Sequence, residues 1–287
     1  LDENELAKPH AFFATGAIEP SPSHRLLAYS ADTSGYETYA IRFLDLATGE
    51  HLNDELLETD GALAWGADDR EIYYVRFDAA HRPHQLWRHV MGTDTSTDEL
   101  LYTESDSKFN LAIDRSASGQ YLFATAESSE TSEVHALRLT KAGESIGQAP
   151  APVLSCVAPR RFGVLYSVEH RAGEWLILSN DRGMRNFGLL TAPEGSTISE
   201  DWRPVAAMPY DPRINLETLV ALRDGIACFG RVDGLTACWI VEGLAEGKPV
   251  DQAKGVHRIQ LPESASEVRP AANRDFGAAS LRLAYSS

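Results

Sequence analysis

The chain repeats one short apolar pattern along its whole length, and this repetition limits the folds open to it. Six apolar runs of strand length, each preceded by a polar turn, begin about 50 residues apart, a spacing typical of propeller blades. The runs occupy residues 25–30, 71–76, 120–125, 174–179, 225–230 and 280–285. A repeat of this length predicts a series of similar structural units.

Each repeat contains several strand-like segments. One precedes the polar turn, and in most repeats two more follow the apolar run. The run itself is apolar at consecutive positions, as expected for a strand covered on both faces. We therefore predict an all-β fold, a β-propeller of four-stranded antiparallel blades. A two-sheet sandwich is the alternative, but its turns would not recur in units of nearly constant length.

The register of the repeats predicts the extent of the domain. Complete units begin near residues 15, 61, 109, 162 and 216, and the last unit begins near residue 268 and stops after two strands. We expect about five complete blades plus a partial one, forming a single propeller domain over residues 1–287 that is truncated at both ends. The one helical candidate, residues 3–8, would end at Pro9.

Composition argues against two classes of partner. The formal net charge is −16, which repels nucleic acid phosphates and anionic lipid and attracts basic partners. No apolar stretch approaches the roughly 18 residues of a membrane span, and the acidic first residues do not resemble a signal peptide. We predict no nucleic acid and no membrane partner, and a cytoplasmic location.

The three cysteines predict free thiols. Cys228 and Cys238 flank Asp233-Gly234, a favoured two-residue hairpin turn. That turn would place Cys228 opposite Trp239 and Cys238 opposite Phe229, with the two sulfur atoms on opposite faces of the sheet. A disulfide between them is then impossible, which fits a reducing compartment.

Two short motifs resemble functional sites but have an unsuitable context. Ser145 lies in a G-x-S-x-G string at residues 143–147, yet Pro150 and Pro152 follow where a nucleophile elbow needs a helix. His81, His84 and His89 have no cysteine nearby, and Pro83 interrupts their spacing. We predict no catalytic residue, no metal site and no cofactor in this chain.

Several strings resemble the propeller domain of oligopeptidase B, a serine peptidase type of the prolyl oligopeptidase family. The most distinctive are Trp-Arg-His at residues 87–89 and Thr-Ser-Glu-Val at 131–134. Others lie at residues 12–22, 26–30, 45–50, 64–67, 169–170, 179–180 and 281–287. The resemblance runs through the full length in one register.

The resemblance implies a gating role. Family members join a seven-bladed propeller to an α/β-hydrolase domain that carries the catalytic triad, and the propeller admits only peptides, which are cut after Arg or Lys. The implied partners are that missing hydrolase domain and peptides with basic residues. Because about five and a half blades cannot close a seven-bladed ring, we expect either a gapped arc that self-associates through open blade edges or a contracted ring with fewer blades, and we favour the arc.

Four charged residues are our candidates for ion pairs with the hydrolase domain. They lie within or beside the best-matched strings and are Arg42, Arg82, Arg88 and Glu133. Charges at the rim of a propeller could set open against closed forms. The alternative function is a stand-alone propeller that binds a partner protein, which the gene sequence after residue 287 would distinguish.

Overall fold

The computed structural model describes residues 1–140, 153–263 and 266–286, apart from the side chain of Glu246. Nearly all of its regular structure is β-strand, as predicted. The first eleven strands are β1 Ala14–Pro20, β2 Leu26–Asp32, β3 Tyr39–Asp45, β4 His51–Trp65, β5 Glu71–Phe77, β6 Pro83–Val90, β7 Glu99–Thr103, β8 Asn110–Arg115, β9 Tyr121–Glu127, β10 Ser132–Arg138 and β11 Leu154–Cys156. The next ten are β12 Tyr166–Arg171, β13 Glu174–Ser179, β14 Gly188–Pro193, β15 Arg203–Pro204, β16 Ile214–Leu222, β17 Gly225–Val232, β18 Leu235–Glu242, β19 Gly255–Arg258, β20 Glu267–Pro270 and β21 Leu283–Ser286.

Helices are few and short. The predicted helix is α1, Glu3–Ala7, which begins where the Asp2 carboxylate accepts hydrogen bonds from the backbone N–H groups of Asn4 and Glu5. Single 3-10 turns occur at Thr95–Thr97, Asp181–Gly183, Ser199–Asp201, Ala245–Gly247 and Val250–Gln252. No helix among the described residues has the length and apolar character needed to cross a bilayer.

The strands pair with their sequence neighbours in antiparallel sheets, which confirms the predicted four-stranded units. The sheets run β11-β10-β9-β8, β12-β13-β14-β15 and β16-β17-β18-β19, followed by the two-stranded sheet β20-β21. The first two repeats instead form one seven-stranded sheet, β1 to β7, because β4 is continuous. Its first half pairs with β3 and its second half with β5.

Gly61 marks the position where β4 passes from one repeat to the next. Its φ of +92° lies in the left-handed region, and an added Cβ would meet the Tyr39 ring at 2.9 Å. The strand register also shifts between Thr59 and Leu63. The chain therefore bends at a residue that only glycine suits sterically.

The last predicted strand is shorter than expected. The apolar run was predicted to form a strand from residue 280, but β21 begins at Leu283. The Asn273 side chain explains the difference, because its amide accepts a hydrogen bond from the Arg282 backbone N–H at 2.7 Å and donates one to the Arg282 carbonyl at 3.0 Å. These bonds hold Arg282 in a loop, so the strand begins only at Leu283.

The described residues divide into two compact units. The first comprises residues 1–115, 119–128 and 135–154, and the second comprises residues 116–118, 129–134 and 155–287. In the first, Phe43 and Trp65 belong to a core shared by the first two repeats, while Leu86 and Leu122 belong to a core shared by the second and third. The predicted single domain over residues 1–287 remains a prediction.

The second unit has two cores of its own. One contains Leu176 from β13 and Trp239 from β18, and the other joins Phe229 of β17 to Val268 of β20. The residues of β13 after Glu174 are all buried, as predicted for a strand covered on both faces.

The cysteine hairpin has the predicted register. Cys228 lies opposite Trp239, and Phe229 lies opposite Cys238. Asp233 and Gly234 both have positive φ, at 51° and 84°, as the favoured two-residue turn requires. All three cysteines are free, and burial raises the pKa of the Cys228 thiol to about 12.

Candidate functional site

Arg42 and Arg88 each form an ion pair with a carboxylate on a strand next to their own. A terminal nitrogen of Arg42 on β3 lies 2.7 Å from a carboxylate oxygen of Glu55 on β4. Arg88 on β6 lies 2.9 Å from Glu99 and 3.4 Å from Glu71. Both arginines are only partly exposed, and each is paired with a cross-strand carboxylate.

Arg82 binds the loop before β8. Its Nε donates to the Asp78 carboxylate at 2.9 Å, and its terminal nitrogens donate to the carbonyls of Glu104 and Phe109 at 3.1 and 2.7 Å. The side chain is 12% exposed. A planar guanidinium can satisfy several carbonyls at once, so Arg82 fixes this loop to the β5–β6 turn.

Glu133 holds a loop that follows β11. Its carboxylate accepts hydrogen bonds from the backbone N–H of Arg160 at 2.8 Å and from the Arg160 guanidinium at 3.0 Å. The next residue, Arg161, pairs with Asp181 at 2.6 Å. The four predicted interdomain residues thus all have partners inside this chain, and their role towards a hydrolase domain remains a prediction.

His89 lies in a buried cluster of carboxylates. Its Nδ1 is 2.7 Å from Asp98 and its Nε2 is 3.1 Å from Asp54, while Tyr74 donates its hydroxyl to Asp98 at 2.7 Å. Each imidazole nitrogen of His89 thus lies within hydrogen-bonding distance of a carboxylate oxygen. Both ring nitrogens are therefore occupied. His81 has a different, exposed contact, in which its Nε2 lies 3.1 Å from the Thr38 hydroxyl.

Ser118, His170 and Glu194 form a hydrogen-bonded chain that resembles a catalytic triad. The Ser118 hydroxyl lies 2.7 Å from His170 Nδ1, and His170 Nε2 lies 3.1 Å from the Glu194 carboxylate. Acyl transfer also needs N–H groups that face the developing oxyanion. The N–H of Ala117, one residue before the serine, already donates to Glu169 at 3.2 Å. The arrangement fits a structural connection between the β8–β9 turn and β12.

Arg171 is the most extensively bonded buried charge among the described residues of the second unit. It is 1% exposed. Its guanidinium donates to the carbonyls of Leu222, Arg223, Leu244 and Lys248 at 2.5–3.0 Å. Burial lowers the pKa of Arg171, and the carbonyls replace the water that the guanidinium loses.

The sequence matches the N-terminal β-propeller domain of prolyl oligopeptidases over residues 1–287. The chain belongs to this family. Every residue of the chain thus falls within the propeller match, and the predicted propeller fold is confirmed.

Similar proteins include named peptidases. The chain is 35% identical to Protease 2 of Moraxella lacunata over 84% of its own length, and 32% identical to dipeptidyl aminopeptidase BI of Pseudoxanthomonas mexicana over 100%. It spans 33% and 37% of those two relatives, about a third of their length. The predicted resemblance to oligopeptidase B and protease II is therefore confirmed.

Solved structures of oligopeptidase B have the same fold. The enzyme from Leishmania major matches with a TM-score of 0.90 at 29% identity, over 100% of this chain and 39% of that one. Oligopeptidase B from Trypanosoma brucei, in a closed form with covalently bound antipain, matches with a TM-score of 0.88 at 30% identity, over the same shares.

Family membership does not account for Ser145 or for the buried contacts described above. Ser145 and its G-x-S-x-G string lie outside the described residues. The polar side-chain contacts of His89, His170 and Arg171 were not predicted because, apart from the His89–Asp98 contact, they join residues at least 24 apart in sequence. The Arg160-Arg161-Phe162 string was available as a signal, since it places an aromatic side chain beside two charges.

Proposed function

We propose that this chain is the substrate-filtering propeller of a longer serine peptidase of the oligopeptidase B type. The observation that carries the proposal is the full-length match to the prolyl oligopeptidase propeller family, together with the similarity to Protease 2 and oligopeptidase B. The partner would be an α/β-hydrolase domain in the part of the protein that corresponds to the remaining two thirds of these relatives. Residues 1–287 alone would be inactive.

The rigid sheets support a filtering role. Each strand that is covered on both faces packs into a core shared with a neighbouring repeat, so individual sheets do not open independently. A channel framed by such sheets admits extended peptides and excludes folded proteins on steric grounds. The net charge of −16 would attract basic peptides, consistent with cleavage after Arg or Lys in a cytoplasmic peptidase.

The test compares the complete gene product with residues 1–287. We expect the complete protein to hydrolyse a fluorogenic Arg-Arg peptide and to cleave a matched Glu-Glu peptide far more slowly. It should leave folded globular proteins uncut. The isolated 287-residue chain should hydrolyse neither peptide, and a fluorophosphonate probe should not label Ser118 or Ser145. A stop codon after residue 287, or equal rates on the two peptides, would contradict the proposal.

A further inference from the structure

Phe162 is the most exposed large apolar side chain among the described residues. It is 88% exposed in the loop between β11 and β12, where a large aromatic gains nothing from packing. Burying an aromatic side chain removes about 150–250 Å² from water. A side chain of this kind is well suited to bind another surface, provided that its loop is held in place.

The loop is held from one side by Glu133 and Thr131. Glu133 binds both the backbone and the guanidinium of Arg160, two residues before the phenylalanine. The Thr131 hydroxyl accepts a hydrogen bond from the Gly163 N–H at 3.2 Å. These bonds flank Phe162 on both sides in sequence.

The other side is held by Asn180 and Asp181. The Asn180 side chain donates to the Gly163 carbonyl at 3.1 Å and accepts from the Leu165 N–H at 2.8 Å. Asp181, with its side chain 8% exposed, pairs with Arg161 at 2.6 Å. These ion pairs and hydrogen bonds therefore hold the loop at four positions, Arg160, Arg161, Gly163 and Leu165.

The backbone at the tip is a tight turn. The Val164 N–H donates to the Arg161 carbonyl at 2.9 Å, which closes the turn around Phe162 and Gly163. Gly163 has a φ of +78°, as the third position of a type II turn requires. The backbone that carries Phe162 is thus fixed before any partner binds, so mainly the side chain remains to be ordered on binding.

We propose that Phe162 is the anchor through which this propeller binds the peptidase domain of the longer protein. This inference rests on the proposed function and names the contact that would keep the two domains closed. Phe162 would enter an apolar pocket of the peptidase domain, and carboxylates at the rim of that pocket would pair with Arg161.

Charge favours this occupant over the substrate. Arg161 is 48% exposed and Arg182, which shares Asp181 with it, is 42% exposed. With Arg160, three arginines here face the two carboxylates of Glu133 and Asp181, so this site is basic on a chain of net charge −16. It would repel the basic peptides of the proposed substrate class and attract an acidic, apolar protein surface. Oligopeptidase B from Trypanosoma brucei has been observed in a closed form, and Phe162 is our candidate for the contact that would hold such a form in this protein.

The test uses the complete peptidase with 4-fluorophenylalanine at position 162 and antipain as the probe. We expect antipain to shield the fluorine from a dissolved paramagnetic agent. Phe162→Ala should weaken antipain binding by about 10- to 100-fold, the range for loss of a buried aromatic anchor. Phe162→Leu, which keeps an apolar side chain, should fall between Phe162→Ala and wild type.

The control is Leu235→Ala, which removes an apolar side chain that is 44% exposed at the first position of β18 in the same unit. Its antipain affinity should equal that of wild type. An exposed fluorine in the antipain complex, or equal antipain affinity in Phe162→Ala, would overturn the inference. If the shielding of the fluorine increases with protein concentration rather than with antipain, a second copy of the chain covers the loop. This result would also overturn the inference. Failure of wild type to cleave the Arg-Arg peptide tests the proposed function separately.

Discussion

At the scale of single residues, buried charges in this chain are used for intrachain hydrogen bonds. Arg82 in the first unit and Arg171 in the second each bind backbone carbonyls of loops that lie far away in sequence. Arginine suits this role because its guanidinium presents several donors in one plane, whereas lysine presents a single ammonium. A charged residue in a family string can therefore be structural even where a functional role is expected.

Asp60 is a carboxyl group whose environment disfavours its charge. It lies where β4 passes between repeats, and burial raises its pKa to about 6, although the Ala62 N–H donates to it at 2.9 Å. The folded chain thus holds the Asp60 proton more tightly than the unfolded chain. The contribution of Asp60 to the free energy of unfolding should therefore rise as pH falls from about 6 to 4.

Asp60→Asn should stabilise the protein at neutral pH and not at pH 4. The amide keeps an oxygen for the Ala62 N–H but carries no charge to bury. Because Asp60 is partly exposed, we expect a gain of about 1–2 kcal/mol in unfolding free energy at pH 7.5. Urea unfolding at both pH values measures it, with the exposed Glu58→Gln on the same strand as control. An equal effect at pH 4 and pH 7.5 would contradict this explanation.

At the scale of strands and turns, local irregularities fix the pairing of β16 with β17. Leu216 lies opposite Gly230 and Thr218 lies opposite Phe229, so Glu217 is an extra residue that forms a bulge. The Glu217 carboxylate pairs with Arg231 at 2.8 Å. A Cβ on Gly230 would lie 2.0 Å from the Asn215 carbonyl oxygen, so the bulge depends on close backbone approach.

Gly230→Ala should destabilise the second unit. The clashing atom belongs to the backbone and cannot rotate away, so the paired strands must separate, at a cost of about 3 kcal/mol. Gly225→Ala on the same strand is the control, because nothing lies within 4 Å of its added Cβ. Thermal and urea unfolding should show a large loss for Gly230→Ala only. Equal stability of the two variants would show that the bulge adapts.

The hairpin and the loops show what the sequence can and cannot predict. The Cys228–Trp239 register followed from the Asp233-Gly234 turn, because a two-residue turn fixes every pair that follows it. The Ser118–His170 contact could not be derived in this way, since it joins a turn residue to a strand residue 52 positions later in the sequence. The hold of Glu133 on the Phe162 loop likewise joins residues 27 apart, Glu133 and Arg160, which the local pattern does not specify.

At the scale of the whole chain, the sheet β20–β21 differs from the other sheets. It has two strands, while the others have four or seven among the described residues. One face is covered, since Val268 packs with Phe229 and Cys238. A groove of about 350 Å³ lies beside it, lined by Ile226, Ile240 and Leu281 among others. Strands with an open edge are templates for pairing with another chain.

The 287-residue chain should therefore self-associate through β21 as its concentration rises. Tyr285 on this strand is 43% exposed, so its ring would be buried by an added strand. Tyr285→Lys places a charge at that edge and should weaken association by about tenfold or more, because a buried unpaired ammonium is costly. Tyr36→Lys, in the exposed β2–β3 loop, is the matched control and should associate like wild type. Sedimentation velocity across a hundredfold concentration range would measure this, and a wild-type chain that stays monomeric throughout would contradict it.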